Sequence, residues 1–322
     1  MSIRFIDLFA GIGGFHLALQ KIGAECVFAC DINEECRKTY TENFNMNPLG
    51  DITKLNIDDI PSHDILCGGF PCQPFSVCGK QEGFEDDRGN LIFHVLDIVK
   101  EKNPKVIFLE NVKHLKYHDK GKTLSKIISE FQELGYKISW KILNAKDHGT
   151  AQNRERIILV ANKEKEFDFS LLQHKPTVLL KDILDKEGKF EYLDESEYTI
   201  IENPKKQISG LIFIGYRNKG IRKKGVRPNT EHLSRVHKQP NRIYSSDGTH
   251  PTIPSQETTG RFFIYHEGRV RKLTINECFK LMGFPSDFKK ISSNGKLYNQ
   301  IGNSVSVPMI EVISQEIISQ YF

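Results

Sequence analysis

The sequence predicts an α/β protein, a Rossmann-like layered domain joined to a smaller domain rich in loops and short strands. Three observations predict it. Short apolar runs alternate with amphipathic stretches through the first half, a glycine-rich turn follows the first run, and beyond about residue 170 prolines and scattered glycines take over. Strands alternating with helices imply a largely parallel sheet covered on both faces, with ligands bound at the strands' carboxyl ends. With 322 residues, 39% of them hydrophobic, the chain can bury a real core.

In order, the runs at 3–9, 26–30, 65–67, 106–109, 138–143 and 157–160 read as strands, being short, apolar and rich in β-branched or aromatic residues. Apolar residues at three- and four-residue spacing mark helices over 15–22, 91–100 and 124–134. Later, 211–214 and 262–265 read as short strands, and 308–321 regains helical periodicity through Met309, Val312, Ile313 and Ile317. The expected division is a catalytic and ligand-binding domain over 1–172, a second domain over 173–270, and a return segment over 271–322 whose helix packs on the first domain.

Composition narrows the function classes. The chain lacks an 18-residue apolar run, and its N-terminus enters a strand-like pattern at once, so neither a membrane span nor a signal peptide is expected and the expected location is cytoplasmic. The seven cysteines lack the C-x-x-C pairing of a structural zinc site, so free thiols and no metal are expected. A net charge of +4 is too small to imply nucleic acid by itself, but its distribution is lopsided. Between 205 and 242 the basic residues Lys205, Lys206, Arg217, Lys219, Arg222, Lys223, Lys224, Arg227, Arg235, Lys238 and Arg242 face Glu231 as the single acid. Such a block is either a solvated face or a phosphate-facing surface.

Cys72 lies in Gly68-Gly69-Phe70-Pro71-Cys72-Gln73-Pro74-Phe75-Ser76, directly after a strand. That is a place for a nucleophile, although a loop cysteine is more often a bland small residue and a reactive one needs help to become thiolate. The turn Phe9-Ala10-Gly11-Ile12-Gly13-Gly14 lets a helix N-terminus approach an anionic group, but His16 replaces the third glycine of the dinucleotide pattern G-x-G-x-x-G. Asp31 and Asp51 follow strand ends where they could meet ribose hydroxyls and an adenine edge, or simply cap turns. Glu110 stands at the tip of a strand, and Arg154 and Arg156 alternate along an extended segment so that both could share a face with it.

The ordered set Phe9-Ala10-Gly11-x-Gly13-Gly14, Pro71-Cys72, Glu110-Asn111-Val112, Gln152-Asn153-Arg154-Glu155-Arg156, Arg271-Lys272-Leu273-Thr274 and Gln300-x-Gly302-Asn303-Ser304-Val305 resembles the DNA (cytosine-5)-methyltransferases of bacterial restriction–modification systems. It spans nearly the whole chain. The resemblance implies an S-adenosyl-L-methionine-dependent fold with a target-recognition domain, and a methyl group placed on C5 of a cytosine flipped out of a specific duplex sequence. It implies Cys72 as the nucleophile that adds to C6, Glu110 at N3 and the exocyclic amine, and Arg154 with Arg156 as the basic pair. For the cofactor it implies Phe9, Gly11, Gly13, Gly14, Asp31, Ile32, Asp51, Ile52, Gly69, Leu91, Asn303 and Val305. For DNA it implies Ser76, Arg227, Gln239, Arg242, Thr252 and Arg261, with Gln239 a candidate to fill the place of the flipped base. The implied partners are double-stranded DNA and a cognate restriction endonuclease acting on the same sequence, and the implied enzyme is a monomer, associated with the nucleoid when on DNA. A cytosine-5 transfer-RNA methyltransferase is the alternative.

Overall fold

The computed structural model describes residues 2–71, 91–218, 230 and 232–322, and it divides into two compact units. The first comprises Met1–Asn144, Glu155–His174 and Val305–Phe322; the second comprises Ala145–Arg154 and Lys175–Ser304.

In the first unit the strands are β1 (Arg4–Leu8), β2 (Glu25–Cys30), β3 (Ile65–Gly69), β4 (Val106–Val112) and β5 (Lys137–Asn144); β6 (Gln152–Asn153) belongs to the second unit, and β7 (Glu155–Asn162) returns to the first. The sheet order is β2-β1-β3-β4-β7-β5. β2, β1, β3 and β4 run parallel, as expected, whereas β7 is antiparallel to both β4 and β5. Among the described residues the α-helices of this unit are α1 (Gly14–Lys21), α2 (Glu34–Phe44), α3 (Leu91–Lys102) and α4 (Lys122–Glu133), with the C-terminal helix described below. Ile6, Leu66, Ile107 and Leu159 from the strands join Val95, Val99, Ile127 and Phe131 from α3 and α4 in one core. α2 has little apolar periodicity, and its start is set by polar chemistry. The Asn33 side chain accepts from the amides of Glu35 and Cys36, and Glu34 and Glu35 complement the helix dipole.

The second unit contains β8 (Tyr198–Ile200), β9 (Phe213–Arg217), β10 (Arg242–Ser245), β11 (His250–Pro251), β12 (Phe263–His266) and β13 (Arg269–Lys272). Its sheet runs β13-β12-β10-β9-β8, and β11 pairs with β6. Two short helices follow, α5 (Ile275–Leu281) and α6 (Asn294–Asn303), before α7 (Val307–Tyr321) returns to the first unit and packs on α1.

The observed division departs from the expected boundaries at residues 145–154, which group with the second unit, and again at the C-terminal side. The change at 174/175 lies close to the expected one, but residues 271–304 group with the second unit, and the return begins at Val305. The reason is local. β13 pairs with β12, and Arg271, buried on that strand, holds Glu277 of α5 through two bonds of 2.8 and 2.7 Å. Glu277 also accepts from the backbone amides of Asp185 and Thr274, the latter closing a capping box. A buried ion pair with all its lone pairs engaged ties α5 to the sheet it follows.

Candidate active site

In the first unit the carboxyl ends of β1, β2, β3 and β4 lie along one edge of the sheet. Because β7 runs antiparallel, its N-terminus arrives at that same edge, with Val112 opposite Arg156 and Glu110 opposite Ile158. Glu110 Oε1 forms an ion pair with Arg156 Nε at 2.9 Å, both side chains only about a tenth exposed. A Cβ placed on Gly69 would stand 3.5 Å from Glu110 Oε2 and 3.9 Å from Val305 Cγ1. Glycine there leaves the approach to Glu110 Oε2 clear of a side chain at position 69. The Asn111 amide donates to Phe70 O at 2.9 Å, so the end of β4 pins the chain two residues before Cys72. Cys72 and Ser76 lie outside the described residues, as does Arg227.

The two arginines part company. Arg154 is fully buried in the second unit, where it donates to the carbonyls of Ser304 at 2.6 Å, Gly302 at 3.2 Å and Ile253 at 3.4 Å. Strand alternation, which would have put it on the face of Arg156, fails because the strand is broken at Arg154 between β6 and β7. Arg154 braces main chain, while Arg156 stands alone beside Glu110.

At the end of β1, Phe9 adopts a left-handed φ of 54°, unusual for a residue with a side chain and a conformation that clusters at ligand-binding turns. Gly11 (φ 55°) has open space where a Cβ would project, and at Gly13 (φ 86°) a Cβ would strike the Phe44 ring. Gly14 opens α1. Asp31, at the end of β2, accepts from the Gly11 amide at 2.8 Å and the Asn33 amide at 2.7 Å. Burial raises its carboxyl above the usual range, partly offset by those amides and by Arg37. Ile32 beside it is 73% exposed, an apolar surface left bare next to the turn. Asp51 binds the Thr53 amide and hydroxyl, which hold its carboxyl below the usual range. Ile52 points into the core, so its main chain rather than its side chain is available to a ligand. Leu91 opens α3 and packs against the same core. Asn303 sits in the second unit, exposed and bonded to Asn299, whereas Val305 is buried in the first.

These residues fit an adenosyl cofactor. The open side of Gly11 admits close backbone approach, the braced Asp31 offers acceptor lone pairs for hydroxyls, and Ile32 and Phe9 supply apolar surface for a flat ring.

In the second unit Gln239 donates to Thr252 O at 3.1 Å, and the Thr252 hydroxyl donates to Asn153 O at 2.8 Å. Arg242 donates to His237 O, and Arg261 pairs with Glu257. Four of these residues stand among the expected DNA contacts; Glu257 does not, and the signal for it was an acid four residues before an arginine in a polar loop. Sequence reasoning also missed a buried polar group under the glycine turn. Asp7 is fully buried without a hydrogen-bond partner for either oxygen, and His16 Nδ1 lies 2.6 Å from Tyr40 Oη. His16, which breaks the dinucleotide pattern, stacks on Phe44 and meets Tyr40.

No helix among the described residues is long and apolar enough to cross a membrane, and those residues contain no cluster of metal-binding side chains. The profile of the C-5 cytosine-specific DNA methylases matches residues 3–319. The chain is 39% identical over 332 residues to the Type II methyltransferase M.HhaI of Haemophilus parahaemolyticus, covering 98% of this chain and 94% of that protein. To the Type II methyltransferase M.HpaII of Haemophilus parainfluenzae it is 38% identical over 329 residues, covering 99% and 90%. Among solved structures, the Entamoeba histolytica methyltransferase EhMeth superposes with a TM-score of 0.72 at 21% identity, covering 99% of both chains. The Schizosaccharomyces pombe Dnmt2 methyltransferase does so with 0.70 at 22%, covering 99% of this chain and 100% of that one, and both show the fold alone.

Proposed function

The chain belongs to the C-5 cytosine-specific DNA methylases, and from that membership we propose how its own residues carry the reaction. The protein is a DNA (cytosine-5)-methyltransferase of the kind found in restriction–modification systems. The observation that carries the residue assignment is the Glu110–Arg156 pair at the sheet edge, beside the open face of Gly69.

Position 5 of cytosine is a weak nucleophile, so the ring must be activated by addition at C6. Cys72 forms that bond as thiolate. The five described cysteines are poor candidates: burial, with nearby carboxylates adding to it, pushes Cys26, Cys30 and Cys36 up to about 12, and burial raises Cys67 and Cys278 as well. Glu110 receives N3 and the exocyclic amine of the extruded base, and a proton held at its Oε2 would offset the charge that grows in the ring as C6 is attacked. Arg156 steadies Glu110 and reaches for the cytosine carbonyl oxygen. Once C5 carries the methyl group, its proton passes to water, the electrons of that C–H bond restore the C5–C6 double bond, and the Cys72–C6 bond breaks to return the thiolate. S-adenosyl-L-methionine, which Phe9, Gly11, Gly13, Gly14, Asp31 and the edge near Asp51 would hold, would supply the methyl group. The second unit reads the duplex through Gln239, Arg242, Thr252 and Arg261, and a cognate restriction endonuclease cuts the same sequence when it is unmethylated. Transfer-RNA methylation is the less supported reading, since the DNA methylases match in sequence over nearly the whole chain and the Dnmt2 likeness is one of fold.

The test begins with bisulfite sequencing of DNA from cells expressing the protein, which gives the modified sequence. A duplex with 5-fluorocytosine at that target should form an adduct that survives denaturation, because fluorine is not lost as a cation. Cys72→Ala should abolish both adduct and transfer while cofactor affinity stays within a few fold. Turnover by the alanine variant would remove Cys72 from the mechanism.

A further inference from the structure

The second unit contains a cavity of about 310 Å³ whose wall carries Gln239, Pro254, Gln256, Glu257, Arg261 and Phe262. Its floor is unusual in one respect. The Glu257 side chain is 5% exposed, yet it pairs with the 46%-exposed Arg261: Oε2 accepts from Nε at 3.0 Å and lies 2.8 Å from Nη2. Its other oxygen, Oε1, takes the Thr259 amide at 2.9 Å and the Thr259 hydroxyl. Burial alone would raise this carboxyl, but Arg261 and Thr259 together hold it below the usual range. Among the described residues Nη1 of Arg261 has no hydrogen-bond partner, so the outer end of the guanidinium fork is left facing outward.

We propose that Arg261, buttressed by Glu257, reads the O6/N7 edge of one guanine in the recognised sequence, with Glu257 as its positioning residue. The inference rests on the DNA-methylating function above and deepens it to a base and an edge. Three features favour a base over a phosphate. A guanidinium paired with a buried carboxylate carries little net charge, so it has little of the attraction that draws free Lys and Arg to the backbone. It keeps its donor geometry, and the two hydrogens of its outer end match the two acceptors of guanine in the major groove. Its rotamer is fixed before binding, which removes an ordering cost that a base-reading residue would otherwise meet on DNA. The amides of Gln239 and Gln256 on the same wall offer both donor and acceptor atoms, as suits a surface for base edges.

The experiment uses the full chain and duplexes carrying the sequence found by bisulfite mapping. Each guanine of the site, on both strands, is replaced in turn by 7-deazaguanine, which lacks N7. With wild-type enzyme one position should lower kcat/KM by about 2- to 12-fold, roughly half in free energy of what a bidentate pair contributes. Arg261→Ala should lose at least that factor on the normal duplex and show no further loss at that position, while keeping its discrimination at the others. Glu257→Gln should blunt the same position in particular, with a thermal melt near wild type showing that the loop is still folded. A uniform loss across sequences with a shallower salt dependence in Arg261→Ala would make the residue a phosphate contact and overturn the proposal, as would full 7-deazaguanine sensitivity at every position in that variant. Failure of the broader function looks different, because wild-type enzyme would then methylate no duplex at all.

Discussion

Asp7 occupies a position where a charge is costly. Burial raises its carboxyl well above the usual range; the His16 backbone amide offsets part of this, and the nearby Asp31 adds to it. Neither oxygen has a partner at hydrogen-bonding geometry, so the partial offset is a weak one. A folded-state pKa above the unfolded value means that the folded form holds the proton more tightly. The stability this group allows is therefore fully present below the ordinary carboxylate range and is lost as pH rises through the raised pKa. Asp7→Asn keeps the shape and removes the charge. Its urea midpoint should exceed that of wild type at pH 8, and the gain should shrink steadily as the pH is lowered towards 4. A pH-independent difference would assign the effect to packing instead. The neighbouring imidazole supports the same picture of a dry pocket, since burial drives His16 down to about 4 and leaves it neutral against Tyr40.

Strand direction decides what meets at the sheet edge. A parallel β7 would carry Arg156 to the far edge of the sheet; the reversal brings it to Glu110. Arg156→Ala leaves a nearly buried carboxylate unpaired, and should cost about 3 kcal/mol in urea unfolding and about 10²–10³-fold in transfer. Adding Glu110→Gln should recover much of the stability and none of the activity, which separates the pair's structural from its chemical contribution. The strands themselves were legible, because apolar runs ending at Gly69 or Glu110 need only local pattern. Their directions were not, since nothing in residues 155–162 marks which way an apolar strand enters a sheet. That Glu110 and Arg156 meet was readable from motif order, whereas Arg154 misled because alternation holds only inside an unbroken strand. α2 escaped periodicity because it buries only Cys36, Thr39 and Tyr40, although its Asn33-Glu34-Glu35 start was visible. The five-stranded sheet was the least legible part, for its strands are three to five residues long and are set by partners distant in sequence.

At the scale of the molecule, the chain leaves the first unit after Asn144, re-enters at Glu155, leaves again after His174 and returns at Val305. α7 closes the first unit by packing on α1, with Lys21 and Glu311 paired at 3.5 Å and Ile310, Ile313 and Ile317 fully buried. Removing residues 305–322 should therefore expose the apolar face of α1 and give a chain that binds a hydrophobic dye, loses amide-exchange protection in β1 and β2, and transfers no methyl groups. Native-like exchange in β1 and β2 would show that the unit closes without its last helix. Synthesis adds a time order to this geometry. At roughly 5–20 residues per second, α1 leaves the ribosome about 15–60 s before its partner helix has been made. A nascent chain therefore carries a glycine turn, a sheet edge and the second unit's five-stranded sheet before it owns a finished first unit. In a cell that has just acquired the gene, the interval before the first methylated site includes this wait on every molecule, so the timing of protection is written partly into the order in which the fold is assembled.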